Sequence, residues 1–184
     1  LALLGFLLIF GKAQLTPYAV IVASLIGILI PYMRFNVWGK AEQNRKIFMG
    51  DSGSLTLGFI LGFLFVKSAM HNPPLMSASP ARFVLAYSLL IVPVFDVVRV
   101  ILHRLRIRQP LFNADKNHIN HKLMRLGMTQ HQALIFILGL AVAYVALNLL
   151  LFPAVSITCI VLIDVATFTF IQLLLTRKAE RKKM

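Results

Sequence analysis

The sequence predicts an all-α fold, a polytopic bundle of transmembrane helices whose chemistry sits on loops at one membrane face. Three observations carry that expectation. Apolar residues make up 59% of the 184 and charged residues only 14%, with a mean hydropathy of +0.81, far from the usage of a water-soluble domain of this length. Five apolar runs, at 17–33, 53–70, 82–102, 131–152 and 154–176, are each close to the ~20 residues that a helix needs to cross the hydrocarbon core. Basic residues gather in the gaps between those runs. Because lipid offers a backbone no hydrogen-bond partners, every run is expected to be helical.

The stretch 1–10 is apolar but too short to span, and it begins with Leu1 and no basic segment. It reads as the end of a helix rather than a signal peptide, and the chain as the C-terminal part of something longer, forming one integral membrane domain over 1–184. The span 17–33 contains Ala23 and Gly27, and the span 53–70 contains Gly58 and Gly62. Small residues four apart let transmembrane helices approach closely. A Pro-rich gap at 71–80 leads into 82–102, and a turn at Phe152-Pro153 separates the last two spans. The one cysteine, Cys159, excludes a disulfide within the chain and a cysteine-based zinc cage.

Charge sets the expected topology. Nineteen Lys and Arg against six Asp and Glu give a net charge of +13, which in a soluble chain would suggest nucleic acid. No gap interleaves basic residues with aromatics for base stacking, so nucleic acid is not expected as a partner. If alternate gaps share a side, then 34–52, 103–130 and 177–184 hold fifteen of the nineteen basic residues. By the positive-inside rule these three segments are cytoplasmic. The polar chemistry is therefore expected on two cytoplasmic loops, 34–52 and 103–130, against a lipid bilayer.

The first loop ends in KIFMGDSGS at 46–54 and runs straight into a span. Glycines there permit close backbone approach, and a helix start offers free N–H groups and a positive dipole end to phosphate. Asp51 is an oxygen ligand of the kind Mg²⁺ takes alongside substrate phosphates. The plainer alternative is that Asp51 or Ser52 caps the helix, and that Phe48 is an interfacial aromatic. In the second loop His118 and His121 stand three apart, on one face of a helical turn, with Lys122 and Arg125 near. That cluster suits phosphate better than zinc, for which only Asp115 and the distant His103 and His131 remain. A solvated basic loop facing anionic lipid is the alternative. Asp96, Arg99 and His103 share a face of the third span and read as an ion pair that orients the helix. Asp164 is mid-span without an evident partner, a costly placement to which the sequence assigns no role.

Together these segments resemble the polyprenyl-phosphate N-acetylhexosamine-1-phosphate transferases. The resemblance rests on Phe35-Asn36, KIFMGDSGSLTLG at 46–58, PVFD at 93–96 and ADKNHINHKLMRLGM at 114–128. The Leu126-Gly127 ending is similar to the GlcNAc-1-phosphate branch rather than the peptidoglycan branch. Asn120 stands where the family's His-x-His-His motif has its middle histidine. The resemblance implies transfer of an N-acetylhexosamine-1-phosphate, GlcNAc-1-phosphate by branch, from a UDP-sugar to undecaprenyl phosphate with release of UMP. That reaction begins the assembly of a cell-envelope glycan at the bacterial inner membrane. It implies a catalytic set of Asp51, His118 and His121, with Asp51 as ligand of a Mg²⁺ cofactor. UDP-N-acetylhexosamine would meet Phe48, stacked near the uracil, and Lys46, Asn36, Asn120, Lys122 and Arg125. A membrane transporter domain built around an intramembrane acid is the other reading. It predicts polarity at the midplane, whereas this sequence concentrates it in two loops.

Overall fold

Five helices of the computed structural model are long and apolar enough to cross a membrane, as expected of a multi-pass membrane protein. The structure describes residues 1–39, 45–70, 79–108, 110 and 118–181. Among them the chain forms seven α-helices: α1 (Ala2–Lys12), α2 (Thr16–Trp38), α3 (Gly50–Ala69), α4 (Pro80–Arg106), α5 (Ile119–Arg125), α6 (Gln130–Leu151) and α7 (Ile157–Arg181). The expected all-α class holds, and no strand occurs among the described residues. Two compact units divide the chain, Leu1–Tyr87 and Ser88–Met184.

In the first unit α1 is the short apolar helix expected at 1–10. Its Phe6 and Phe10 are fully buried and open a ladder of rings. Phe6 stacks on Phe10 at 6.3 Å, Phe10 meets Tyr18 of α2 at 5.3 Å, and Tyr18 meets Phe63 of α3 at 6.2 Å. Aromatic rings bury the most area per residue, so this ladder accounts for much of the unit's packing. The small-residue expectation is corrected here. A Cβ added at Gly27, Gly58 or Gly62 would have nothing within 4 Å, because the helices meet through bulky rings elsewhere and these glycines lie on an open face. Ile28, Ile30, Leu55 and Phe59 are exposed on the same two helices, a surface suited to lipid tails. Arg82, at the start of α4, donates through Nε to the Ser68 carbonyl at 2.9 Å, and Phe83 meets Phe65 at 5.8 Å. These contacts dock the first turns of α4 on the end of α3.

The second unit contains an element that hydropathy did not reveal. Helix α5 lies inside the expected loop 103–130 and buries Ile119 and Leu123 against Ala133 of α6, with Leu175 of α7 at the edge of the cluster. The helix ends in a Schellman turn. Gly127 takes φ +92, Met128 N–H donates to the Leu123 carbonyl at 3.2 Å, and Gly127 N–H donates to Met124 at 2.9 Å. Thr129 then starts α6 through a capping box with Gln132. Deeper in the unit Asn148 of α6, fully buried, donates to Ser88 Oγ at 3.0 Å and to Asp164 Oδ2 of α7 at 2.9 Å. Phe95 meets Phe168 edge-on at 5.6 Å. Asp164, read from sequence as lacking an evident partner, is bonded to Asn148 and is itself fully buried.

Candidate functional site

The predicted site residues fall on both units, and each group has its own local geometry. In the first unit α2 runs five residues past the expected end of its span, carrying Arg34, Phe35 and Asn36 into its last turns. Polar residues at a helix end reach the interface without breaking the helix, so hydropathy stops before the helix does. From that last turn Asn36 donates through Nδ2 to the Ile47 carbonyl at 2.8 Å. The bond holds the returning chain beside the end of α2. Gly39 permits that return, since a Cβ there would collide with the Phe35 and Arg45 carbonyl oxygens. Lys46 then places its ammonium 5.8 Å from the centre of the Phe48 ring, a cation–π arrangement. Phe48 is 75% exposed, so its aromatic ring is accessible to a flat ligand.

Gly50 adopts φ +67 as the chain turns into α3, a conformation that costs side-chain-bearing residues about 1–2 kcal/mol. Asp51 follows in the first turn. The capping alternative fails in its simple form, because the N-cap is Met49 and no side chain caps α3. The Asp51 carboxylate is exposed. Ser54 and Thr56 instead bond back to the helix, to the Asp51 and Ser52 carbonyls at 2.9 and 2.7 Å. An exposed carboxylate beside free helical N–H groups has the lone pairs that a divalent cation takes. Among the described residues no group of three or more His, Cys, Asp or Glu side chains could hold a metal by itself. An ion at Asp51 would therefore complete its oxygen shell from substrate phosphates and water, the usual habit of Mg²⁺.

In the second unit His118 is the N-cap of α5 with an extended ψ of 152, and the helix proper begins at Ile119. The expectation that His118 and His121 share a helical face is corrected accordingly. The His118 ring turns back to α4, where Nδ1 lies 2.9 Å from Asp96 Oδ2, while His121 on the first turn is exposed. Asn120 is half-buried between them and Arg125 is exposed. Lys122 goes elsewhere. It is 8% exposed, and its ammonium donates to Gln172 Oε1 at 3.2 Å and Thr176 Oγ1 at 2.8 Å on α7. The expected Asp96–Arg99 pair forms at 2.9 Å, but His103 is exposed and the buried cation of that turn is Arg104, which donates to the Pro110 carbonyl at 3.2 Å. Lys116 and Asp115 lie outside the described residues. The sequence reading missed Asp96 as a partner of the histidine loop, and missed Gln172 and Thr176 altogether. Their i, i+4 spacing as polar residues in an otherwise apolar run was the available signal.

A multi-pass membrane protein, all-helical among the described residues, whose helix ends in each unit carry polar groups, an exposed aromatic ring and carboxylate in the first and an exposed imidazole in the second, has the makings of an enzyme acting at a membrane face. The sequence pattern of Glycosyl transferase family 4 matches residues 1–69. Over 124 residues the chain is 33% identical to an undecaprenyl-phosphate alpha-N-acetylglucosaminyl 1-phosphate transferase of Yersinia pestis, a match covering 67% of this chain and 32% of that protein. Proteins of the same name from Escherichia coli strain K12 (30% identity, 66% of this chain, 32% of that one) and Pasteurella multocida strain Pm70 (31%, 62% and 30%) are similar in the same way. The chain is a homologue of these transferases over the matched residues, which bears out the resemblance carried by its motifs. It spans about a third of the length of the curated relatives it matches. No solved structure matches it.

Proposed function

We propose that the protein transfers GlcNAc-1-phosphate from UDP-GlcNAc to undecaprenyl phosphate at the cytoplasmic face of the bacterial inner membrane. A phosphate oxygen of the lipid bonds to the β-phosphorus of the nucleotide sugar, the bond from that phosphorus to the bridging oxygen breaks, and UMP leaves with the electron pair. The observation that carries this reading is the exposed Asp51 carboxylate, set behind Gly50 at the start of α3 with Lys46 and Phe48 just before it. Two polyanions must meet in this reaction, so the protein's task is to position them and to offset their repulsion.

The residues divide that task by chemistry. Phe48 offers its ring to the uracil and Lys46 its charge to the diphosphate. Asn36 holds the segment that carries both. His118, Asn120, His121 and Arg125 supply hydrogen bonds and charge to phosphate oxygens. The Lys122 ammonium, bonded to Gln172 and Thr176, anchors the middle of α5 to α7 and adds positive potential to that short helix. Mg²⁺, held by Asp51, would offset charge on the diphosphate when bound. The matches give the transporter alternative no support, and Asp164, which prompted it, is enclosed against Asn148.

The test is Asp51→Asn in the full-length protein in membranes, assayed by incorporation of labelled GlcNAc into lipid. Turnover is expected to fall by about 10²-fold or more, as when a charge-stabilising group is lost at a reacting phosphate. Thermal stability should stay at the wild-type level because the side chain caps nothing. Wild-type turnover with unchanged Mg²⁺ dependence would reject the assignment.

A further inference from the structure

His118 is 43% exposed at its side chain, and its surroundings decide which ring nitrogen is free. Nδ1 lies 2.9 Å from Asp96 Oδ2. A carboxylate has no hydrogen to give, so Nδ1 carries the hydrogen and donates it. The other oxygen, Oδ1, takes the Arg99 guanidinium at 2.9 and 3.3 Å. The Ile119 backbone N–H donates to both oxygens, at 3.1 and 3.3 Å. Helix α5 has no side-chain cap of its own, so Asp96 supplies from α4 the acceptor that a free first-turn N–H needs. The Asp96 side chain itself is 8% exposed. An aspartate present only to balance Arg99 would require neither the imidazole nor the amide.

We propose that Asp96 is a positioning residue for His118: by accepting the Nδ1 hydrogen and capping α5, it fixes the ring's orientation and tautomer so that Nε2 is the nitrogen offered to a substrate phosphate. The atom a histidine presents is set by the bond its other nitrogen makes. Nε2 stands across Cε1 from Nδ1 and is left without the carboxylate that Nδ1 takes, and the His118 side chain is half-exposed while that of Asp96 is buried. The proposal rests on His118 meeting a substrate phosphate, as set out above. It adds a residue outside the loops to the working parts of the site, in a span where it reads as a plain ion pair.

The experiment combines spectroscopy with a mutant cycle in the full-length protein in lipid nanodiscs. Ring ¹⁵N spectra of histidine-labelled protein, assigned by the loss of a signal in His118→Ala, report the tautomer of the neutral ring. The wild type is expected in the Nδ1–H form, and Asp96→Asn, whose amide can donate to Nδ1, in the Nε2–H form or a mixture. With UDP-GlcNAc and undecaprenyl phosphate as probes, Asp96→Asn should lower kcat on the order of 10²-fold, the loss expected of a misplaced group. On a His118→Ala background the same change should cost less than about 3-fold, since residues that act as a unit are not additive. An Nε2–H tautomer in the wild type, or an unchanged tautomer in Asp96→Asn beside an inactive His118→Ala, would overturn the proposal and leave the functional reading standing. Wild-type turnover of His118→Ala would overturn that reading and the proposal with it. The wild-type spectrum decides the geometry even if Asp96→Asn does not fold.

Discussion

Replacing Asn148 by leucine tests whether the buried polar cluster of the second unit holds its helices together. Asn148 is fully buried, and its amide nitrogen bonds both to Ser88 on α4, at 3.0 Å, and to Asp164 on α7, at 2.9 Å. Leucine has the same number of side-chain heavy atoms but a larger volume, so the substitution removes two interhelical hydrogen bonds and adds some overpacking at a fully buried site. Each such bond contributes about 0.6 kcal/mol on average in membrane proteins, and up to about 1.7. Stranding a buried acceptor adds about 1–3 kcal/mol. Asn148→Leu is therefore expected to cost at least about 2–4 kcal/mol, summed from those two contributions before any overpacking. The assay is equilibrium unfolding in mixed micelles by tryptophan-independent circular dichroism, with Asn148→Leu, Asp164→Leu and the double variant compared. Because removing both partners leaves less polarity stranded than removing one, the double variant should be more stable than the two single costs added predict. Full additivity, or a single-variant cost within 0.5 kcal/mol of wild type as at an indifferent surface site, would refute the reasoning.

Three further predictions concern the loops. Gly50→Ala must adopt φ +67, so it should lose about 1–2 kcal/mol and reduce turnover through the misplaced Asp51, measured by thermal shift and transfer assay side by side. Asn36→Ala frees the Ile47 carbonyl from its 2.8 Å bond; the KM for UDP-GlcNAc should rise several-fold, with stability changed by about 0.5–1.5 kcal/mol. Single cysteines at positions 45 and 116 in a Cys159→Ala background should label from the same membrane face, as the positive-inside assignment requires, and labelling from opposite faces would reject the topology.

The spans were legible because a bilayer imposes one rule, an apolar run of sufficient length, and all five runs obey it. Their ends were less legible. Arg34 and Asn36 look like loop residues by polarity, yet α2 continues through them to Trp38. Helix α5 went unseen because its seven residues include only three apolar ones, although Ile119 and Leu123 stand four apart as a buried helical pair should. Periodicity correctly joined Asp96 to Arg99, since both lie on one helix. It had no means of joining Asp96 to His118, 22 residues away across a loop, or Asn148 to Asp164. Those pairings depend on which helices are neighbours, and hydropathy carries no information about that. Gly58 and Gly62 show the converse, a pattern that permits close approach without producing it. The candidate loops were visible through residue types suited to phosphate, whereas the direction each side chain takes, Lys122 inward and His121 outward, was not.

The central claim is that the sugar moves together with its own phosphate. Supplying the full-length protein in membranes with UDP-GlcNAc labelled in the β-phosphate, together with undecaprenyl phosphate, tests it directly. The label is predicted to enter the lipid fraction in step with release of UMP, and Asp51→Asn to lower both by about 10²-fold or more. Label retained in released UDP, with sugar on the lipid or hydrolysed, would contradict it.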